Sequence, residues 1–587
     1  MTTSPTNSSI GETQPPVRAY ASHKPKWQRF QNRMTSASTS GAAGKNGTNK
    51  DNKENKKNGT STTKSASTSS VKSSENEIIP YQRQYSHVYS YRLSALKDKC
   101  WNQLKKLPNN IEGNRKATDM NTTSSKNVDR ILELQENRLS NVVGTLIVER
   151  LNSNSDDNYY QDGAAGEDRQ LHPESICRSG DQLFLEDESG RVAIRFVDTA
   201  NGDYDNDDGE HSSPSYVYQY CTGTVVGVRG LVDEKGMMHV QYIVNPALVA
   251  PPAVCSENGN DNKNALSGSE PSNLAPHLLL VSSLLCGDPD VSSLPREMLV
   301  SYLQGHFDPN SAARVARIVV AGSGPGAVEP TMGLRELDLW GLQVTRTASI
   351  PLDILPSATD PTSRNWPQRP FHSSLLPHTL RDTTGSAASM AHMTPNPYEA
   401  MHGNQLVLGT DGLNVRDLQK HILKPQPLPS DDDNDGQKKE DDEDDNNNST
   451  SSSPQLLTEL EALEQTLRWS HICPTGPSSS SLGMVPSGDP MVLNRATPNL
   501  YFCGNCEEGF ATKLLTYDDD DAVTTGSDGD DASENEKPKT RLVCIPKFSE
   551  TGEAVLVNLQ TLDVEVLRFK TNENDNNDVN DDDERKK

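Results

Sequence analysis

Apolar and polar residues follow different rhythms along this chain, and each rhythm predicts a different kind of element. Tyr81, Tyr85, Tyr89, Leu93, Leu96, Cys100, Leu104 and Leu107 recur at spacings of three and four, the period of an amphipathic helix, and Pro108-Asn109-Asn110 ends it. From 128 to 255 the apolar runs shorten to Asn141–Leu151, Asp181–Phe196, Cys221–Val228 and Met238–Val244. Turns such as Glu188-Ser189-Gly190 and Asp233-Glu234-Lys235-Gly236 separate them. Short strands punctuated in this way predict a small closed barrel. From 276 to 570 the strands read as continuous apolar runs, Leu278–Val281 and Ile318–Ala321, as expected where both faces of a sheet are covered. A stripe at Leu456, Leu460, Leu463 and Leu467 predicts a helix opening at Ser453-Pro454, and Arg541–Pro546 and Ala554–Leu559 close the fold. The class is therefore mixed, α+β or α/β: an N-terminal helix, a β-barrel and a larger β-structure flanked by helices.

Polar segments separate and interrupt these parts. Residues 1–76, a linker at 256–275, inserts at about 425–453 and 517–538, and the tail 571–587 carry little apolar surface to offset the roughly 1–2 kcal/mol per residue that ordering costs. They are expected to be disordered, and deleting 430–450 is expected to leave the fold intact. Residues 77–127 hold the first helix and its linker. The polar stretches 154–167 and 200–213 are expected as loop insertions in the barrel.

The segments also explain the composition. Of 587 residues 33% are hydrophobic, and the net charge is −26, much of it in runs such as Asp518–Asp521 and Asp581–Glu584. Bulk attraction of the whole chain to nucleic acid is therefore excluded. The 9 cysteines lack paired spacings, the first residues have no apolar signal region, and no run reaches the roughly 20 apolar residues of a membrane span. A soluble intracellular protein is expected.

Four strand ends carry the candidate chemistry. His277–Val281 runs into Ser282-Ser283-Leu284-Leu285, and Arg317–Gly322 into Ser323. Ile350–Pro356 runs into Ser357-Ala358-Thr359-Asp360, and Asn499–Gly504 into Asn505-Cys506-Glu507. The series resembles the metal loops of calcineurin-like metallophosphoesterases, whose active members carry Asp-x-His, Gly-Asp, Gly-Asn-His-Asp/Glu and Gly-His-x-His there. Ser283, Leu285, Ser323, Ala358, Thr359 and Asn505 stand in place of the ligands, and a two-metal centre needs a cluster of Asp, His and Asn. The candidates that remain are Asp360, His471 and Glu507. Asp360-Pro361-Thr362 is expected to form a turn and His471 to be a hydrogen-bonded structural residue. No catalytic residue, metal or cofactor is expected.

Further runs extend the resemblance to a polymerase family. Tyr85–Arg92, Val142-Val143-Gly144-Thr145, Ser311–Gly322, Pro351–Pro356, Thr394–Tyr398, Leu408-Gly409-Thr410, Leu467–Thr475 and Tyr501–Asn505 occur in the order found in the small (B) subunits of DNA polymerase delta. The resemblance implies an OB-fold barrel docked on an inactivated phosphoesterase domain, in a nuclear, non-catalytic scaffold. Such a scaffold bridges the C-terminal domain of the catalytic subunit to the third, clamp-binding subunit, and reaches the sliding clamp and DNA indirectly. The family's iron–sulfur and zinc cysteines belong to the catalytic subunit. The B-subunits of polymerases alpha and epsilon share the domain plan and remain an alternative, as does an active metal-dependent phosphodiesterase of the archaeal kind.

Other motifs have plainer readings. Cys503-Gly504-Asn505-Cys506 has the CxxC spacing but no second pair spaced for zinc, and is read as adjacent thiols without a metal or redox role. Asp431–Gly436 resembles an EF-hand loop, but Lys424–Pro429 forbids the incoming helix. Gly322-Ser323-Gly324-Pro325-Gly326 lacks the spacing of a nucleotide-binding loop. On the barrel, Phe184, Phe196, Tyr218 and Tyr220 with Arg191, Arg195 and Arg229 are the residues a single-stranded DNA site would draw on; most of these aromatics are expected in the core.

Overall fold

In the computed structural model, the described residues are 86–108, 125–150, 170–196, 214–249, 251, 275–380, 390–424, 454–479, 488–517 and 538–570. The segments read from sequence as tails, linker and inserts, including the EF-hand-like run, lie outside the described residues almost entirely, as do Tyr81 and Tyr85.

Helix α1 (Ser86–Lys106) forms where the three-and-four spacing places it. It lays Leu93, Leu96, Cys100 and Leu104 on Val143 and Val225 of the barrel. Lys105 and Lys106 fall in its last turn, where positive charge meets the negative end of the helix dipole.

The barrel is built from β1 (Lys126–Asn127), β2 (Leu139–Glu149), β3 (Gln182–Glu186), β4 (Arg191–Phe196), β5 (Val225–Val232) and β6 (Met237–Val244). The strand order is β1-β2-β3-β4-β6-β5, and an additional β2–β5 pairing closes the sheet on itself. The long β2 does this by pairing with β5 along Leu139–Thr145 and with β3 along Thr145–Glu149. Gly144 sits at the change of partner, where a Cβ would meet Leu185 Cγ at 2.7 Å. The expected run 181–196 is a hairpin, turned by Asp187, whose Oδ1 accepts from the Ser189 N–H. Alternation along β3 and β4 sends Leu183, Leu185, Val192 and Ile194 into the barrel core.

The larger body holds β7 (His277–Val281), β8 (Val315–Ala321), β9 (Leu352–Leu355), β10 (Ala391–Met393), β11 (Tyr398–His402) and β12 (Gln405–Thr410). It continues with β13 (Leu500–Cys506), β14 (Ala511–Thr516), β15 (Lys539–Pro546), β16 (Glu553–Asn558) and β17 (Val564–Arg568). They form two sheets, β10-β9-β8-β7-β16-β17 and β11-β12-β13-β15-β14. Period-two alternation explains their unbroken apolar runs. Leu278, Leu280, Val319 and Ala321 face Val407, Phe502 and Val543 between the sheets, while Leu279, Val281, Ile318 and Val320 face the helices outside. Those helices are α2 (Leu294–Leu303) and α3 (Pro330–Leu342). On the other side, α4 (Leu413–His421) and α5 (Glu459–Arg468) cover Tyr501, Cys503, Leu542 and Cys544. The result is a four-layer sandwich. Its sheets approach closely enough that a Cβ on Gly504 of β13 would sit 2.2 Å from the Ala321 carbonyl oxygen of β8.

Two expectations are corrected. Helix α5 opens at Glu459, not at Ser453-Pro454, because Thr458 and Glu461 form a reciprocal capping box there; Leu456 instead pairs with Leu423 in an isolated bridge. After the expected strand Ala554–Leu559, a further strand, β17, returns antiparallel along it.

Helix, barrel and sandwich are fastened together. Arg92, on α1, donates to Asp489 Oδ2 and to the carbonyls of Gly223, Pro474 and Gly476, so one guanidinium touches all three parts. Lys99 donates to the Leu493 carbonyl, and the Leu423 N–H to Tyr218 O.

Candidate functional site

The four strand ends that stand out in the sequence converge at one edge of the sandwich. The Ser283 N–H donates to Gly322 O at 3.1 Å and the Leu285 N–H to Ser323 O at 3.2 Å. The Asn505 N–H donates to Ser282 Oγ at 2.9 Å, and Ser323 Oγ donates to Ser357 Oγ at 3.1 Å. First, second, third and last loops are thus linked by direct hydrogen bonds.

Their backbone is unusual. Ser283, Leu285, Ser323 and Asn505 have φ of 54°, 46°, 52° and 54°. These are left-handed conformations that cost a non-glycine residue roughly 1–2 kcal/mol. Such strain persists only where the surroundings over-determine it, and it gathers at functional sites. Here it recurs at three of the four strand ends.

The side chains at this edge are mostly neutral. Asp360 forms the expected turn: its Oδ2 accepts from the Ser357 N–H at 2.6 Å and the Ser323 N–H at 3.2 Å. Burial raises its pKa to about 7, against the pull of those donors. Two further residues, not anticipated from the sequence, belong to the site. Asp411, just past β12, accepts from Asn396 Nδ2 at 2.8 Å, and its backbone carbonyl accepts from Asn505 Nδ2 at 2.9 Å. Burial also raises the Asp411 pKa. Asn396 Oδ1 and Asn505 Oδ1 are buried without a hydrogen-bond partner. Asn396 lies in the run Thr394–Tyr398, which contributes to the family resemblance, but nothing local marks it as a site residue. Thr359 Oγ1 hydrogen-bonds Ser357 Oγ at 3.0 Å, and Ala358 beside it carries no ligand atom.

The other two candidates lie apart from this cluster. His471 is buried and hydrogen-bonded: its Nε2 is 2.8 Å from Asp489 Oδ2 and its Nδ1 accepts the Cys473 N–H, beside Arg92. Burial, with Arg92 close by, lowers its pKa to about 4. Glu507 is exposed and pairs with Lys547 at 3.2 Å.

Among the described residues, one set of three or more His, Cys, Asp or Glu side chains brings its ligand atoms within 4.8 Å of one another: Cys503, Cys506 and Cys544. The CxxC spacing marks the first two in the sequence; the third lies on the neighbouring strand and has no local signal.

On the barrel, Arg229 is removed from the candidate DNA-binding set. Its guanidinium is buried, donating to Asn141 Oδ1 and to the carbonyls of Pro108 and Leu104, where it holds the end of α1. Arg191 lies over the Phe184 ring at 4.8 Å, and Phe196 stacks on Tyr216 at 4.9 Å. Tyr218 is buried.

Two family models match the chain. Residues 84–243 match the DNA polymerase delta subunit OB-fold domain, which takes in α1 and the barrel through most of β6. Residues 331–512 match the B-subunit family of DNA polymerases alpha and epsilon, from α3 into β14. The chain is 26% identical over 509 residues to the DNA polymerase delta small subunit of Oryza sativa subsp. japonica, covering 83% of this chain and 94% of that protein. It is 26% identical over 503 residues to the Saccharomyces cerevisiae DNA polymerase delta small subunit, covering 83% and 90%. It is 27% identical over 502 residues to DNA polymerase delta subunit 2 of Drosophila melanogaster, covering 83% and 94%.

Proposed function

We infer that this chain is the accessory small subunit of a replicative DNA polymerase delta, and that its sandwich is a calcineurin-like phosphoesterase domain that has lost its metal site. Similarity to delta small subunits along nearly their whole length supports the first half. The observation that carries the second is the left-handed backbone at Ser283, Leu285, Ser323 and Asn505. Loops shaped to aim metal ligands persist, but their side chains are hydroxyls, an amide and an alkyl group. Hard divalent ions bind carboxylate and imidazole, and the carboxylates left here, Asp360 and Asp411, are held by N–H donors and biased toward the neutral acid by burial.

The function that remains is mechanical. Arg92 and the packing of α1 make helix, barrel and sandwich one platform. The catalytic subunit's C-terminal domain and the third, clamp-binding subunit dock on it in the nucleus. Tethering then adds a weak clamp contact to the others through effective concentration. Contact with DNA is read as indirect; Arg229, one of the three arginines a barrel site would draw on, is committed to the fold. Co-expression of the full chain with the C-terminal domain of a delta catalytic subunit tests this. A complex stable through gel filtration, with no manganese-dependent phosphodiester hydrolysis by the purified chain, is expected. Hydrolysis abolished by Asp360→Asn would overturn the inactive-site reading. Failure to form the complex would overturn the subunit reading.

The second reading, a B-subunit of polymerase alpha or epsilon, is favoured by one observation, the family matched by residues 331–512. The family matched by the barrel and the relatives above favour delta.

A further inference from the structure

Cys503 and Cys506 lie three residues apart on β13, and in an extended strand such residues sit about 10 Å apart. Here their Sγ atoms are 3.5 Å apart. The strand is bulged between them, where the β13–β15 register shifts and Asn505 takes φ 54°, folding Cys506 back over Cys503. Cys544 reaches the same point from β15, in direct register with Cys503, and its Sγ is 3.7 Å from Cys503 Sγ. All three side chains are buried.

We propose that Cys503, Cys506 and Cys544 form a structural site for a thiophilic d10 cation, Zn²⁺ being the one expected. With Zn–S bonds of about 2.3 Å, tetrahedral thiolates lie about 3.8 Å from one another, close to the two separations found. Soft thiolates select such an ion over Mg²⁺ or Ca²⁺. The three thiolates supply three positions, and among the described residues no fourth His, Cys, Asp or Glu ligand atom lies within 4.8 Å of all three; Glu459, a buried carboxylate in the first turn of α5, flanks the cluster through the backbone after Cys506. Its oxygens accept the N–H groups of Glu507 and Glu508, directly after Cys506. Arg416, which donates to Asn505 O at 2.8 Å, offsets part of the negative charge. On binding, each S–H bond broken gives one Zn–S bond and releases one proton to solvent. The ion would pin β13 to β15. The site adjoins the last of the converging loops at Asn505 and Cys506, but it does not depend on the polymerase reading.

The test uses the full chain, purified under reducing conditions. About one equivalent of zinc per chain, surviving dialysis and released by a mercurial thiol reagent, is expected. Cobalt loaded in its place should give a thiolate-to-metal charge-transfer band. Cys544→Ala should lose the equivalent, whereas Cys286→Ala, a buried cysteine elsewhere, should keep it. The wild-type cobalt spectrum stands even if Cys544→Ala folds poorly. Absence of both retained zinc and a cobalt–thiolate band in the folded wild type would overturn the proposal. So would a metal-free chain whose mass is lower by two hydrogens, the signature of a Cys503–Cys506 disulfide.

Discussion

Arg92 and Asp489 meet through an Nε–Oδ2 contact of 2.7 Å with both side chains fully buried. This pair is where α1 is fastened to the sandwich. Desolvating two charges is costly, and the pair recovers that cost only because three of the four remaining guanidinium hydrogens reach carbonyls and His471 completes the carboxylate. Removing one partner leaves a buried charge unmatched. Arg92→Ala and Asp489→Ala should each destabilise the chain by roughly 3–5 kcal/mol in denaturant unfolding, and the double variant should cost much less than their sum. Additive losses would show that the two residues do not act as a pair.

His471 gives the same junction a pH dependence. Its pKa is lowered to about 4 in the folded chain against about 6.5 unfolded, so the folded state binds fewer protons between those values. The stability it contributes is complete above about pH 6.5 and is lost as pH falls toward 4. Asp489, also held well below the carboxylate range, extends the loss to more acid pH. His471→Gln should flatten the slope of stability between pH 4 and 6.5. An unchanged slope would place the acid sensitivity elsewhere.

Asp360 has the opposite sign. Its folded pKa is about 7 against about 3.9 unfolded, so the folded state holds its proton longer, and stability falls as pH rises from about 4 to 7. Asn keeps a carbonyl oxygen to accept the Ser357 and Ser323 N–H groups without the charge. Asp360→Asn should therefore raise stability by roughly 1–4 kcal/mol at pH 8 and change it little at pH 4. Destabilisation at pH 8, or a gain equal at both pH values, would contradict this.

The left-handed loops predict an inverted glycine effect. Within a strand, introducing Gly ordinarily costs about 0.5–1 kcal/mol. Ser283 has φ 54°, its hydroxyl makes a 3.4 Å contact with Ser549 Oγ, and its backbone hydrogen bonds would remain in glycine, so Ser283→Gly should be neutral or stabilising by up to about 1 kcal/mol in thermal unfolding. A clear loss would show that the conformation carries no strain there.

The sequence revealed what local pattern controls. Leu278–Val281 and Ile318–Ala321 read as doubly covered strands because both of their faces are apolar, and the strand ends were visible as departures from a ligand motif. The start of α5 is legible in Thr458 and Glu461; Ser453-Pro454, a second capping pair just upstream, opens no helix. What remained hidden depends on long-range pairing. Cys544 is 38 residues beyond Cys506 in sequence and becomes its neighbour only through the parallel β13–β15 ladder. Asp411 and Asp489 carry no local motif, and Arg229 could be told from a DNA-binding arginine only by the carbonyls it caps. The left-handed φ of Leu285 runs against its residue type and could not be read from it.

The most direct test of the subunit assignment is quantitative affinity purification of the tagged full chain from its own cells, comparing recovery of the three replicative catalytic subunits. The expected result is near-equimolar recovery of the delta catalytic subunit together with a clamp-binding subunit. Recovery of the alpha or epsilon catalytic subunit in its place, or of none of the three, would contradict the assignment.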